Sequence, residues 1–311
     1  MKQPSIIVFV HGGDSWYLRY TTNQARSISA GSPVVLLGDI QIGDGIITSP
    51  LERHKSSDMA RRFREAYVHT HSGNREWELF CFLRWFCLLD YMEENRTESA
   101  LYLDSDVLLY SSIEEIANAY NAPQLQCGLS IPRQSFESYH WHVSGHASYW
   151  TRESLKQFCD FATRSFSEEK YLAMYREKWA WNQRTGKPGG VSDMTALYLF
   201  WLESKDSIVN FAEVSNGTVF DHNMNIPLNG EEDEYVMAGA RKHIDFVDDK
   251  PVLTRRTTGD KIRAHELHLQ GGAKNFIPLY YRGGPFTGKT AGDSYAFLRR
   301  LGQRGKRLVG R

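Results

Sequence analysis

The sequence predicts an α/β fold with a mixed, mainly parallel central sheet flanked by helices, and two observations carry that reading. The chain opens as strand, helix, strand, and a β-α-β unit of that length requires parallel strands with the helix packed on one face. A later apolar strand stops on a pair of aspartates behind a long helix, repeating the order of elements.

Residues 5–10 form a short β-branched run ending at His11-Gly12-Gly13, which reads as a buried strand entering a tight turn. Residues 15–30 can form a helix, and 33–37 read as a second strand stopped by Gly38-Asp39. Residues 76–94 are expected as a long, aromatic-rich helix, followed by a strand at 100–103. Further strands are expected at 126–131 and 142–150. Residues 151–166 should form a helix with Thr151 as N-cap, and 191–203 another, capped by Ser192 or Asp193. From 208 to 268 short strands alternate with turns, with no internal repeat. Gly283-Gly284-Pro285 reads as a linker. The expected division is one domain over 1–282, with a first half at 1–110 and a second at 111–282, then a basic tail over 283–311.

Composition narrows the class of function. At 41% hydrophobic residues, a chain of 311 can bury a sizeable core, which excludes disorder as the default. Lysine plus arginine number 37 against 37 acidic residues, and this balance argues against a general nucleic-acid partner. Cys81, Cys87, Cys127 and Cys159 show no paired spacing and fit reduced thiols. The opening apolar run is too short for a signal peptide, and the richest apolar stretch, 79–92, is broken by Arg84 and Asp90, so no bilayer span is expected. The expected location is cytoplasmic. Asn95-Arg96-Thr97 and Asn216-Gly217-Thr218 are glycosylation sequons only in form.

Asp104-Ser105-Asp106 closes the strand Ala100-Leu101-Tyr102-Leu103, with apolar residues on both sides. About one such spaced pair arises by chance in a chain this long, so the position matters more than the pattern. Ligands of open α/β sheets bind beyond the carboxyl ends of the strands. Hard carboxylate oxygens there suit Mg²⁺ or Mn²⁺, which in turn hold a diphosphate. The alternative is a solvated turn.

Tyr102-Leu103-Asp104-Ser105-Asp106 resembles the DxD strand end of the GT-A-fold (Rossmann-like) glycosyltransferases, most closely glycosyltransferase family 8. Far downstream, His268-Leu269-Gln270-Gly271-Gly272-Ala273-Lys274 is similar to that family's HxxGxxK pattern. The sequence departs from the pattern after Lys274, where Asn275-Phe276 stand in place of Pro-Trp. The resemblance implies a hexosyltransferase that moves sugar from a nucleotide-diphosphate sugar, a UDP-sugar, to a glycan or lipid-linked acceptor with retention of configuration. It implies Mn²⁺ or Mg²⁺ held by Asp104, Asp106 and His268, with Lys274 on the diphosphate. A cation and a lysine would stabilise the charge that develops on the departing diphosphate.

The resemblance also implies a donor pocket from Val10, His11, Gly12 and Asp39 at the first turns, Arg84 on the preceding helix, and Ser105 within the pair. Gly145 and His146 follow the metal strand, and Gly271 stands in the second motif. Asp193 is implied to contact the transferred sugar, and with Lys274 it makes the catalytic pair; a plain helix cap is the alternative for Asp193. A structural ion pair is the alternative for Arg84. Asp221-His222-Asn223 is a weaker candidate for acceptor recognition.

Other patterns point elsewhere. Asp104 and Asp106 also resemble the DxD of haloacid-dehalogenase-type phosphatases, with Asp248-Asp249 as the later acidic pair. A non-catalytic carbohydrate-binding protein on the same fold is a third reading. His140, His142 and His146 could form a zinc site. Residues 283–290 match the phosphate-loop pattern, but too little chain follows to complete that sheet. Arg299, Arg300, Arg304, Lys306, Arg307 and Arg311 are interleaved with Tyr295, Phe297, Leu298, Leu301 and Leu308, which suits peripheral contact with an anionic membrane surface.

Overall fold

The computed structural model describes residues 5–29, 31–120, 125–137, 139–230 and 232–285. The opening unit is β1 (Ile6–Val10), α1 (Leu18–Ile28) and β2 (Val34–Leu37), followed by β3 (Ile46–Ser49). Every residue of β1 and β2 is buried, as expected for strands covered on both faces. β1 pairs with β2 and β2 with β3, both in parallel.

Next come α2 (Leu51–Lys55), α3 (Asp58–Ala66) and α4 (Arg75–Glu94), the last leading into β4 (Ser99–Leu103). Asn74 caps α4, its side chain accepting from the N–H groups of Glu76 at 2.9 Å and Trp77 at 3.1 Å, a standard remedy for unpaired first-turn donors. β4 is parallel to β1 on the side away from β2. The chain therefore reverses its direction of strand addition at β1, leaving a crevice beyond the ends of β1 and β4.

β5 (Val107–Leu109), α5 (Ile113–Ala119), β6 (Cys127–Ser130), β7 (Ser144–Thr151), α6 (Arg152–Ser165), α7 (Glu169–Thr185), α8 (Asp193–Glu203) and β8 (Ile208–Asn210) follow. The central sheet has seven strands in the order β3-β2-β1-β4-β7-β6-β8. β7 alone runs against its neighbours, antiparallel to both β4 and β6, while β6 and β8 are parallel. Thr151 caps α6 as the sequence predicts, accepting from the N–H of Ser154 at 3.2 Å. The mixed, mainly parallel sheet of the sequence analysis is present, and its two faces are both covered. Ile6, Val8 and Val10 face a core shared with α4, α6 and α8; Ile7 and Phe9 face a second core with α1 and α5.

The remainder is β9 (Thr218–Val219), β10 (Met237–Ala238), β11 (Arg241–Lys242), β12 (Asp245–Val247), β13 (Lys250–Thr254), β14 (Lys261–Ala264), β15 (Glu266–His268) and α9 (Ile277–Tyr280). Four of these strands form a small sheet, β12-β13-β14-β9, over a third core. β15 leaves it and pairs antiparallel with β5, setting His268 opposite Val107. That register joins the two distant sequence motifs.

Several elements were not anticipated. α7 buries Tyr171, Tyr175, Lys178 and Asn182, a stripe at helical spacing, but two of the four are polar, so the apolar pattern is hidden. α3 buries only Ala60 and Phe63. Gly283 is less a linker than expected: its carbonyl accepts from the Asn23 side chain at 3.2 Å, and Arg282 N–H donates to Gln24 at 2.8 Å. The remainder of the phosphate-loop match, residues 286–290, and most of the basic tail lie outside the described residues.

Candidate metal centre and adjoining pocket

Asp104 and Asp106 stand in the short turn between β4 and β5. The turn is closed by the Val107 N–H donating to the Asp104 carbonyl at 3.1 Å. It is tied to α1 by Thr21, whose hydroxyl donates to the Ser105 carbonyl at 2.9 Å. The β5–β15 ladder then delivers His268. One ligand atom each from Asp104, Asp106 and His268 lie within 4.8 Å of one another. His268 Nε2 is 3.7 Å from Asp106 Oδ1, and Lys274 Nζ is 3.1 Å from Asp106 Oδ2.

The donor set fits a divalent cation. His268 Nδ1 lies 2.8 Å from the His222 carbonyl, so Nδ1 carries the proton and Nε2 presents its lone pair toward the carboxylates. This is the outer hydrogen bond that orients a metal-binding imidazole. The backbone N–H of His268 donates to Asp221 Oδ2 at 3.2 Å. His146 stacks on the His268 ring, with centroids 4.0 Å apart and planes 6° apart. Burial, followed by the neighbouring histidines, pushes His146 well below the ordinary histidine range, leaving a neutral ring beneath the site.

Behind His268 lies a buried ionic network. Lys242 Nζ and Asp221 Oδ1 are 2.5 Å apart, with both side chains inaccessible to solvent. Glu266 Oε1 is 3.4 Å from His146 Nε2. Burial and then Asp221 push the Glu266 carboxyl well up, so it is held neutral. Asp221 is thereby corrected from an acceptor-recognition candidate to a brace: one oxygen takes Lys242 and the other takes the His268 backbone.

Arg84 crosses from α4 to join the metal turn to α8. Its Nη1 donates to Asp104 Oδ1 and its Nη2 to Asp193 Oδ2, both at 2.6 Å. Tyr102 also donates to Asp104 Oδ1 at 2.6 Å, and the Trp85 indole N–H donates to Asp193 Oδ2 at 3.1 Å. Burial alone would push the guanidinium down, but the two carboxylates reverse this. Burial likewise pushes Asp104 up, against the pull of Arg84. Ser192 is the N-cap residue of α8, so Asp193 sits one position inside the helix. Its Oδ1 accepts from the Met194 N–H at 2.9 Å.

Val10 ends β1, and His11 N–H continues the ladder to the Leu37 carbonyl at 3.0 Å. The His11 ring lies 2.9 Å from the Ser15 hydroxyl. Burial and then Lys274 push this imidazole down, so it too is neutral at pH 7. Gly12 leaves open space where a side chain would stand. Asp39 is exposed beyond β2, and its Oδ1 accepts from the Leu51 N–H at the start of α2 at 3.3 Å. Gly145 faces the core: a Cβ there would meet Trp85 at 2.5 Å. Gly271 is in the left-handed region at φ 57°, which a glycine enters without the usual steric cost. Lys274 also lies over the Tyr17 ring, 5.2 Å from its centroid. Its amine is pulled down by burial, but Asp106 and Tyr17 more than offset this.

The rival sites assemble differently. Asp248 and Asp249 form the β12–β13 turn, both left-handed (φ 51° and 57°) and exposed, with Asp249 3.5 Å from Arg282. They are not among the residues grouped with Asp104 and Asp106, and the phosphatase reading loses its acidic pair. His140 and His142 stack on each other at 5.3 Å, while His146 turns to Ser144 and Asp221. Among the described residues, the two groups able to hold an ion are Asp104-Asp106-His268 and His54-Asp90-Glu94. Tyr102, Trp85, Lys242 and Glu266 were missed by sequence reasoning, because a strand or helix read from its own residues gives no sign of which polar group it aims inward.

No protein-family model matches the chain, and no curated protein matches it. Solved structures do. Mouse xyloside xylosyltransferase 1, apo form, is 8% identical, with 66% of this chain and 84% of that chain covered and a TM-score of 0.45. Galactosyltransferase LgtC, in complex with donor and acceptor sugar analogues, is 16% identical over 66% of this chain and 72% of that one, with a TM-score of 0.35. A glycosyltransferase involved in glycosylation of the major capsid of PBCV-1 is 15% identical, covering 53% and 66%, with a TM-score of 0.29. No helix among the described residues is long and apolar enough to cross a membrane.

Proposed function

We propose that the chain is a metal-dependent glycosyltransferase that moves a hexose from a UDP-sugar to a glycan or lipid-linked acceptor with retention of configuration. One observation carries this reading: Asp104, Asp106 and His268, remote in sequence, bring ligand atoms within 4.8 Å of one another, with Lys274 beside them. Carboxylate oxygens and a neutral imidazole suit Mn²⁺ or Mg²⁺, and such an ion neutralises charge on a diphosphate leaving group.

The protein's own residues do the rest. Lys274 adds a second positive charge at the diphosphate. On this reading Val10, His11, Gly12 and Asp39 contact the nucleotide of the donor, and Ser105 and Gly271 its diphosphate side. Arg84 locks Asp193 in one orientation, so that carboxylate accepts hydrogen bonds from sugar hydroxyls without first reorganising. Residues 1–110 supply most of the nucleotide side. Residues 111–282 supply the acceptor side and return His268 and Lys274 to the metal.

Isothermal titration of UDP with and without Mn²⁺ tests the reading. The expected result is tight binding only with the metal. Equal binding in both titrations, or none in either, removes the proposal.

A further inference from the structure

Most large aromatic residues of this protein are core. Trp85 and Trp150 are wholly buried. A second aromatic group is not: Tyr139, Trp141, Trp181 and Tyr198 are all partly exposed, yet their rings form a continuous ladder. Trp181 stacks on Tyr139 at 5.8 Å, Tyr139 meets Trp141 at 5.3 Å, and Trp141 lies parallel to Tyr198 at 6.3 Å with 4° between planes.

The loop carrying two of these rings is held in an unfavourable backbone conformation. Tyr139 and Trp141 have φ of 58° and 39°, values that bulky L-residues rarely adopt. Such strain persists only where the surroundings impose it. Here the clamp is Lys178, a buried amine that donates to the His140 carbonyl at 2.8 Å, the Trp141 carbonyl at 3.2 Å and Thr195 Oγ1 at 2.7 Å. Burial pushes this lysine down to about 7. Its three partners are neutral oxygens, and their geometric effect is to present the Trp141 ring.

The loop also adjoins the chemistry already described. The Val143 N–H donates to the Met194 carbonyl at 3.1 Å, one residue past Asp193. The His142 ring stands edge-on to His222 at 5.7 Å, and His222 carries the carbonyl that orients His268. The Trp141 loop is thus tied to the residue after Asp193 and to the histidine whose carbonyl orients His268.

We infer that Trp141 and Tyr198 form an acceptor subsite that takes a pyranose ring by stacking against its C–H face. This inference rests on the transferase reading and specifies its acceptor as a glycan. A pyranose carries polarised C–H bonds on one face and hydroxyls on its edge. The C–H face packs on the electron-rich face of an aromatic ring, and an apolar wall beside convergent polar groups is the usual make-up of a small-molecule site. The two aromatic rings supply the wall, and the Val143–Met194 backbone bond links their loop to the start of α8, where Asp193 lies.

The test is saturation-transfer NMR on the full chain, using methyl α- and β-glycosides of glucose, galactose, mannose and xylose as probes, with and without UDP and Mn²⁺. At least one glycoside should bind the wild type, with its ring C–H protons receiving the strongest saturation. Trp141→Ala should weaken that glycoside about tenfold, and Trp141→Phe should restore most of it, with melting temperatures reporting that both variants fold. Absence of binding by every glycoside, or equal affinity in Trp141→Ala and the wild type, overturns the inference. A wild type that binds a glycoside through Trp141 but takes no UDP with Mn²⁺ instead removes the transferase reading and leaves the stacking site standing.

Discussion

The candidate metal ligand His268 is oriented by partners outside the ligand group. His268 owes its direction to the His222 carbonyl on one ring nitrogen and to Asp221 on its backbone N–H. Replacing His268 with Ala should remove the metal-dependent part of UDP affinity by about 100-fold, since even outer partners of a ligand cost 10- to 100-fold; titration with and without Mn²⁺ measures it. Asp221→Ala is a different experiment. It strands Lys242 in a site with no solvent access, and a broken buried pair costs about 3–5 kcal/mol. Urea unfolding should show that loss at neutral pH, while replacing Asp39, an exposed residue, should leave the midpoint near that of the wild type. The DxD turn and the HxxGxxK run were legible as strings of residues. Their braces were not, because Tyr102 and Trp85 read as ordinary apolar positions until a fold gives them a direction.

At the scale of elements, β7 and α4 make their tightest approach at a glycine, beside the Trp85–Trp150 ring contact at 5.6 Å. β7 must pass close to the Trp85 indole, which itself donates to Asp193. Gly145→Ala therefore either displaces Trp85 or moves β7, and overpacking of this kind costs about 1–3 kcal/mol. The expected outcome is a lower melting temperature together with weakened binding of the donor sugar, because Trp85 and Arg84 are neighbours on α4. A change in stability alone, with donor affinity intact, would show that Asp193 is held by Arg84 without help from the indole. The helices at 151–166 and 191–203 were readable because caps mark their starts, and the one at 76–94 from its long aromatic-rich run. α7 was not, since its buried stripe includes Lys178 and Asn182. The same polar stripe that hides α7 from sequence reading is what holds the Trp141 loop in place.

At the scale of the molecule, histidines held neutral by their surroundings should weaken the fold in acid. Burial pushes His142 down to about 3 and His265 down to about 4, from 6.5. Below pH 6.5 the unfolded chain takes up these protons and the folded chain does not. Their contribution is therefore complete above pH 6.5 and lost as pH falls toward about 4 for His265 and about 3 for His142, at about 1.4 kcal/mol for each unit of separation. Glu78 acts in the opposite sense over part of this range. Burial and then Asp193 raise it from 4.5 to about 7, so its carboxyl favours the folded state less as pH climbs between those values. Urea midpoints at successive pH values should fall steeply below pH 6, and His265→Gln should make that fall shallower. An unchanged slope in the variant would show that His265 is protonated in the folded state.

By itself, the sequence determined the β-α-β opening, the strand that stops on Asp104 and Asp106, and the existence of a second motif at His268 to Lys274. These are local matters of side-chain period, turn residues and spacing. The tertiary structure alone decided that β15 pairs with β5, that Arg84 links Asp104 to Asp193, and that Trp141 is partly exposed rather than buried. Each depends on contacts between segments far apart in the chain. Such contacts form only when burial of the cores outweighs the entropy of closing long loops, a balance that no local window of residues records.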